Sequence, residues 1–162
     1  MLTVEQGWLD GTDSGLFVLC PEGAVEGWTG CREDLLEAAV EYAAAHPEPG
    51  HGDLLVLGGE PLLVGWLAEE RVFVRPLYFD CEDDPRPLVR EALRSGVWED
   101  GPVLGLTAGR YLLTDVFYDG ADILERGEYL TVEVPPGRYL VQSLKTEPGR
   151  RAEFHLERLL PR

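Results

Sequence analysis

The chain has almost none of what nucleic-acid and membrane binding require. Among 162 residues Lys145 is the lone lysine, and thirteen arginines complete the basic set against 30 acids, for a formal charge of −16 at pH 7. Sequence-independent contact with DNA or RNA needs cations that displace counterions, and an anionic membrane surface needs the same, so the composition argues against both. Serine is confined to Ser14, Ser95 and Ser143, none of them in a nucleophile elbow. Gly58-Gly59 lacks the following Lys-Ser/Thr of a phosphate-binding loop. Cys20, Cys31 and Cys81 are odd in number and irregular in spacing, which gives neither a disulfide framework nor a zinc pattern. No apolar run approaches the roughly 18–20 residues of a membrane span. Met1–Gly7 has no basic or long apolar stretch of a secretory signal. A reduced cytoplasmic protein is the expectation.

What is present is enough for a core. The length suits a single domain over residues 1–162, and 44% of the residues are apolar, too many for a disordered acidic tail. The acidity is uneven along the chain. Residues 1–70 hold 14 acids against Arg32 alone, residues 71–100 hold seven against five bases, and residues 101–162 hold nine against eight.

Gly15–Cys20 reads as a buried strand. From Cys31 to His46 the apolar residues Leu35, Leu36, Ala39, Val40, Tyr42 and Ala43 recur at steps of three and four, which predicts a helix stopped by His46-Pro47-Glu48-Pro49-Gly50. Asp53–Leu57 and Leu62–Leu67, joined by Gly58-Gly59-Glu60-Pro61, predict a hairpin. Arg71–Phe79 reads as a strand in which Pro76 marks an edge or a bulge. A second helix is expected from Asp84 as N-cap, with Pro85 in the first helical position and Leu88, Val89, Ala92 and Leu93 as its buried face. The last third reads as strands at Val103–Leu106, Arg110–Phe117, Glu128–Val134, Arg138–Leu144 and Ala152–Leu159, with a turn at Pro135–Arg138. The sum is an α+β, sheet-rich domain of mostly antiparallel strands with two helices.

Several clusters invite a chemical reading. Asp80-Cys81-Glu82-Asp83-Asp84 mimics a calcium loop, with Glu91 in the twelfth position, but Pro85 stands where that loop needs glycine. The alternatives are acids gathered before a helix N-terminus or an acidic contact surface. Asp115 is an acid inside an apolar strand, where Asp is depleted. It marks a bulge, a partner contact or a buried hydrogen-bonded carboxylate. With Asp119 and Asp122 it offers carboxylates for a metal, though three acids on one hairpin also make an ordinary solvated loop. Cys31 beside Arg32 lacks a histidine partner, since His46 lies about 22 Å away along the same helix. His51 lies in a Pro/Gly loop, and His155 is read on the polar side of the last strand. Cys81 is blunted by the acids around it.

The chain resembles the immunity protein 21 family, small bacterial proteins encoded beside polymorphic toxins. The residues that carry the resemblance are Gly15–Leu19, Trp28-Thr29-Gly30, Val56–Leu62, Phe73-Val74-Arg75, Val97–Asp100, Leu113-Thr114-Asp115 and Val134–Tyr139. The late strand, Pro-Gly-x-Tyr, strand layout is similar to that of small competence-nuclease inhibitors as well. The resemblance implies stoichiometric binding and neutralisation of a cognate toxin, with no catalytic residues and no cofactor. An acidic inhibitor suits a toxin with a basic surface, such as a nuclease, through electrostatic steering. The expected contacts are Glu69, Glu70, Asp80, Glu82, Asp83, Asp84, Glu99 and Asp100, with Trp66 or Trp98 as anchors. The competing readings are a metal-dependent hydrolase built on Asp80, Asp84, Asp115 or Asp119, and a general acidic adaptor or nucleic-acid mimic.

Overall fold

A computed structural model describes residues 6–10, 16–28, 44–48, 52–58, 63–78, 84–115, 117–145 and 153–162. Strands dominate: β1 (Leu9–Asp10), β2 (Phe17–Pro21), β3 (Ala44–Glu48), β4 (Gly52–Leu57), β5 (Leu63–Leu67), β6 (Val72–Tyr78), β7 (Glu99–Leu106), β8 (Arg110–Asp115), β9 (Leu130–Glu133), β10 (Gly137–Lys145) and β11 (Glu153–Pro161). Among the described residues a 3₁₀ helix covers Glu22–Gly27, and two α-helices follow, α1 (Arg86–Ser95) and α2 (Gly120–Arg126). The class is α+β and sheet-rich, and every strand pair is antiparallel.

Six strands form one sheet in the order β1-β5-β6-β11-β10-β7, and five form another in the order β3-β4-β2-β8-β9. The sheets share an inner core that includes Phe17, Leu19, Leu55, Leu57, Trp66, Phe73, Tyr111, Leu113, Tyr139 and Leu159. Trp66 and Phe73 meet there with ring centroids 4.5 Å apart. The outer face of the six-stranded sheet packs Leu67, Val72, Val74, Phe154 and Leu156 against Val89 and Ala92 of α1. The outer face of the five-stranded sheet packs Val18, Cys20, Leu54, Val56 and Leu112 against Val25 and Trp28 at the 3₁₀ helix. Strands β2, β4, β6 and β11 are therefore covered on both faces. Fully burying one large apolar side chain stabilises by roughly 1.5–3 kcal/mol, so residues on both faces of these strands contribute.

Double coverage explains why the expected hairpin does not form. Strands β4 and β5 both read as apolar runs, yet they belong to different sheets. The predicted helix also needs correction at its end. Ala44–His46 belong to β3, paired with β4, because an edge pairing overrides the helical propensity of alanine. A register shift between Ala45 and Glu48 takes up Pro47, which has no N–H for the ladder. Most of that predicted helix, from Cys31 to Ala43, lies outside the described residues, as does the Cys31 and Arg32 pair. Pro76 lies in β6, which has neighbours on both sides, and a register shift opposite it, between Glu153 and Phe154, makes it a bulge rather than an edge.

The second predicted helix is α1. It starts one residue later than expected, with Pro85 rather than Asp84 at the N-cap and Arg86 as the first helical residue, because Pro85 already has helical angles; the Asp84 carboxylate accepts the Arg86 N–H at 3.0 Å. Val89 and Ala92 are buried, with Leu88 and Leu93 packed beside them. Helix α2 was not expected. The acids read as a solvated hairpin loop instead straddle a helix, with Asp119 at its N-cap and Gly127 closing it at φ 69°. It docks on the 3₁₀ helix through Gly120, whose N–H donates to the Trp28 carbonyl at 2.8 Å.

The free edge of β9 is finished by a side chain. Gln6 donates through Nε2 to the Thr131 carbonyl at 2.6 Å and accepts the Thr131 N–H through Oε1 at 2.7 Å.

Gly120 allows a direct test of the docking. A Cβ there would lie 1.5 Å from the Val25 carbonyl oxygen, whereas one at Gly23 meets nothing within 4 Å. Gly120→Ala is expected to cost about 3 kcal/mol and to lower Tm by roughly 6–10 °C in thermal denaturation. Gly23→Ala should change stability by less than about 1 kcal/mol.

Candidate functional site

The register of β6 and β11 places charge between the sheets. His155 stands opposite Arg75, and Glu157 stands opposite Phe73. All four side chains are buried, so His155 lies inside rather than on the polar face expected for it. Alternation along β11 failed as a guide because Phe154 and Leu156 fill the opposite, helix-covered face. Arg75 Nη1 donates to Glu157 Oε1 at 3.1 Å and to the Gly58 carbonyl, just after β4, at 2.9 Å. One guanidinium thus joins β6 and β11 of the larger sheet to the end of a strand in the smaller one. It also lies 6.0 Å from the centre of the Phe17 ring. His155 Nε2 is 3.4 Å from Glu157 Oε1.

Burial controls the protons here. It pushes the Glu157 carboxyl up to about 7, against the pull of the Arg75 charge and hydrogen bond. It pushes His155 down to about 4, helped by the positive charges of Arg75 and Lys145. At neutral pH His155 is uncharged. The arrangement works as a cross-sheet clamp. Asp115 is buried next to the inner row, opposite Phe17 in the register. Its carboxylate accepts the Phe117 N–H at 2.9 Å, which realises the buried, hydrogen-bonded alternative.

The residues read from sequence as a contact surface separate into distinct environments. Trp66 is 1% exposed and belongs to the inner core, so it offers no anchor to a partner. Glu69 and Glu70 lie in the turn between β5 and β6, where Arg71 adopts φ 53°. Glu70 is half-buried and pairs with Arg90 of α1 at 3.6 Å. Asp84 pairs with Arg86 of the same helix at 3.1 Å. Asp80, Glu82 and Asp83 lie outside the described residues. Trp98 is half-buried, its indole N–H donating to the Ala92 carbonyl at 3.3 Å and its ring 4.1 Å from the Arg158 guanidinium. Glu99 and Asp100 begin β7 and are exposed. Asp100 accepts from Gln142 at 2.5 Å, and Gln142 accepts from Arg158 at 2.8 Å.

A second acidic surface escaped the sequence reading. Glu22 and Glu26 of the 3₁₀ helix and Asp119, Asp122, Glu125 and Glu128 at α2 are exposed. They are about a hundred residues apart in the chain and meet only because the two helices pack together. Phe117 and Leu124 are exposed there as well, at 47% and 43%. The one local hint was Gly120 followed by Ala-Asp-Ile-Leu-Glu-Arg and Gly127, a short helical phrase ended by glycine.

Among the described residues no three His, Cys, Asp or Glu side chains gather as a metal site, and no helix is long and apolar enough to cross a membrane. The family model described as immunity protein 21 matches residues 7–152. The chain belongs to the immunity protein 21 family. No curated protein and no solved structure matches it. The matched segment includes Arg75 and both acidic surfaces, while β11, with His155 and Glu157, lies beyond it.

The clamp makes three predictions. Arg75→Met leaves Glu157 buried without its cation and is expected to cost about 3–5 kcal/mol in urea denaturation. Glu157 titrates higher in the fold than its ordinary 4.5, so its contribution to stability is full below pH 4.5 and is lost as pH rises through about 7. His155 titrates lower than its ordinary 6.5, so its contribution is full above pH 6.5 and is lost as pH falls through about 4. The stability of wild type relative to Glu157→Gln should therefore fall from pH 4.5 to 7. Relative to His155→Leu it should rise from pH 4 to 6.5. A pH-independent difference in either series would show that the group is not shifted.

Proposed function

We propose that this chain neutralises a cognate toxin of a polymorphic toxin system by forming a one-to-one complex with it in the cytoplasm. The chain acts as a single binding domain without cofactor or catalysis of its own. The observation that carries this reading is membership of the immunity protein 21 family over residues 7–152. Charge refines it. At −16 the chain suits a toxin with a basic surface, and a nuclease is the activity that most often needs one. Opposite potentials raise the encounter rate, while a few buried aromatic and aliphatic contacts set the lifetime of the complex. The same charge repels nucleic acid, so inhibition proceeds by covering the toxin rather than by competing contact with its substrate. Of the residues expected from sequence to face the toxin, Glu69, Glu99 and Asp100 are described and exposed, while Trp98 is half-buried and bonded to Ala92 of α1.

Co-expression with the toxin domain of the neighbouring gene tests the proposal. Growth should be restored by this chain, and the purified pair should migrate as a 1:1 complex. The association rate should fall by about tenfold or more between 20 mM and 300 mM salt. Continued toxicity on co-expression, with no complex formed, would refute the immunity reading. A rate insensitive to salt would remove the electrostatic part.

A further inference from the structure

The carboxylates on the two outer faces differ in what they meet. Beside α1, which covers the six-stranded sheet, Asp84 and Glu70 are half-buried with guanidinium partners in Arg86 and Arg90, and Glu69 is exposed in the turn before β6. On the other side, the 3₁₀ helix and α2 present six acids. Arg110 takes Glu22 at 3.0 Å, and Arg126 reaches Glu128 only at 4.0 Å. Glu26, Asp119, Asp122 and Glu125 are exposed with no cation paired to them among the described residues. Arg126 itself leans over the Tyr118 ring, 5.4 Å from its centre.

Apolar surface lies among these acids. Phe117 and Leu124 are two of six large apolar side chains that the described residues leave open. The scaffold under them is tight. Gly120 sits against the Val25 carbonyl with no room for a side chain, and its N–H is bonded to Trp28. Trp28, which ends the 3₁₀ helix at this junction, is 8% exposed, and its indole N–H has no acceptor among the described residues. The ring packs in one cluster with Val18, Val25 and Leu112 and so anchors the junction from beneath.

We infer that the face formed by the 3₁₀ helix and α2 is the surface that receives the toxin. Phe117 and Leu124 are the apolar anchors, and Glu26, Asp119, Asp122 and Glu125 are the acidic rim that meets a basic protein surface. The inference rests on the proposed immunity function and assigns it a place. Unpaired carboxylates around exposed apolar side chains match the division of labour in tight protein complexes, where the rim sets the encounter and a desolvated centre sets the lifetime. Nucleic acid is disfavoured on the same face, because a polyanion meets four uncompensated negative charges there. The paired acids beside α1 present a weaker field, since each has a guanidinium within 4 Å.

The test uses the full chain with the purified, catalytically inactivated toxin domain of the neighbouring gene as probe. Association and dissociation are followed by biolayer interferometry at low salt. The triple variant Glu26→Lys, Asp122→Lys, Glu125→Lys should slow association at least about tenfold. Leu124→Ala should speed dissociation about tenfold. Glu99→Lys with Asp100→Lys, on β7, should change either rate by less than about twofold. Hydrogen exchange of the wild-type complex should show new protection over residues 22–28 and 117–128, a readout that does not depend on any variant folding. If wild type binds tightly while the triple and Leu124 variants keep its rates and protection falls on β7, the face is wrong and the immunity function stands. If wild type does not bind, the function and the face fall together.

Discussion

A guanidinium shut away from water must be met by oxygen atoms, and Arg75 meets them from both sheets. Its bonds to Glu157 and to the Gly58 carbonyl fix three strands relative to one another in a space otherwise filled by aromatic and aliphatic side chains. The arrangement is selective rather than strongly stabilising, because the cost of drying two charges offsets most of their attraction. It also fixes register. A one-residue slip of β11 against β6 would turn Glu157 toward α1 and bring an apolar residue opposite the cation.

The fold class was legible because turn signals and apolar runs are local. The two α-helical stretches fared differently. Asp84-Pro85 and the apolar spacing of Leu88 to Leu93 carry their own information, and α1 lies where they place it. Strands covered on both faces lose the alternation that assigns them to a sheet. That is why β4 and β5 looked like a hairpin, whereas β11 kept an alternation whose polar side, with His155, faces the inner core rather than solvent. The buried charge cluster was not legible at all. Its members lie 82 residues apart in the chain, and nothing in Phe73-Val74-Arg75-Pro76 marks an inward arginine. Asp115 was the exception, since an acid in an apolar strand is conspicuous wherever it points.

Net charge alone proved a poor guide to surface chemistry. The densest acidic run in the sequence leads into a helix that carries Arg86, Arg90 and Arg94 at intervals of four, and the first two of these take Asp84 and Glu70. The more open acids come from two short helices far apart in sequence. A field is made by what is left after neighbours have paired, and pairing is a property of the fold.

The amide of Gln6 carries the donor and acceptor of a peptide group, and it completes the edge of the smaller sheet without contributing a strand. That edge is guarded by competition instead of bulk. Any extended segment approaching β9 must displace a tethered group whose local concentration is on the order of millimolar. Yet the displacement itself needs only a rotation of one exposed side chain. The smaller sheet can thus refuse weak, accidental strand pairing while remaining able to accept a strong one.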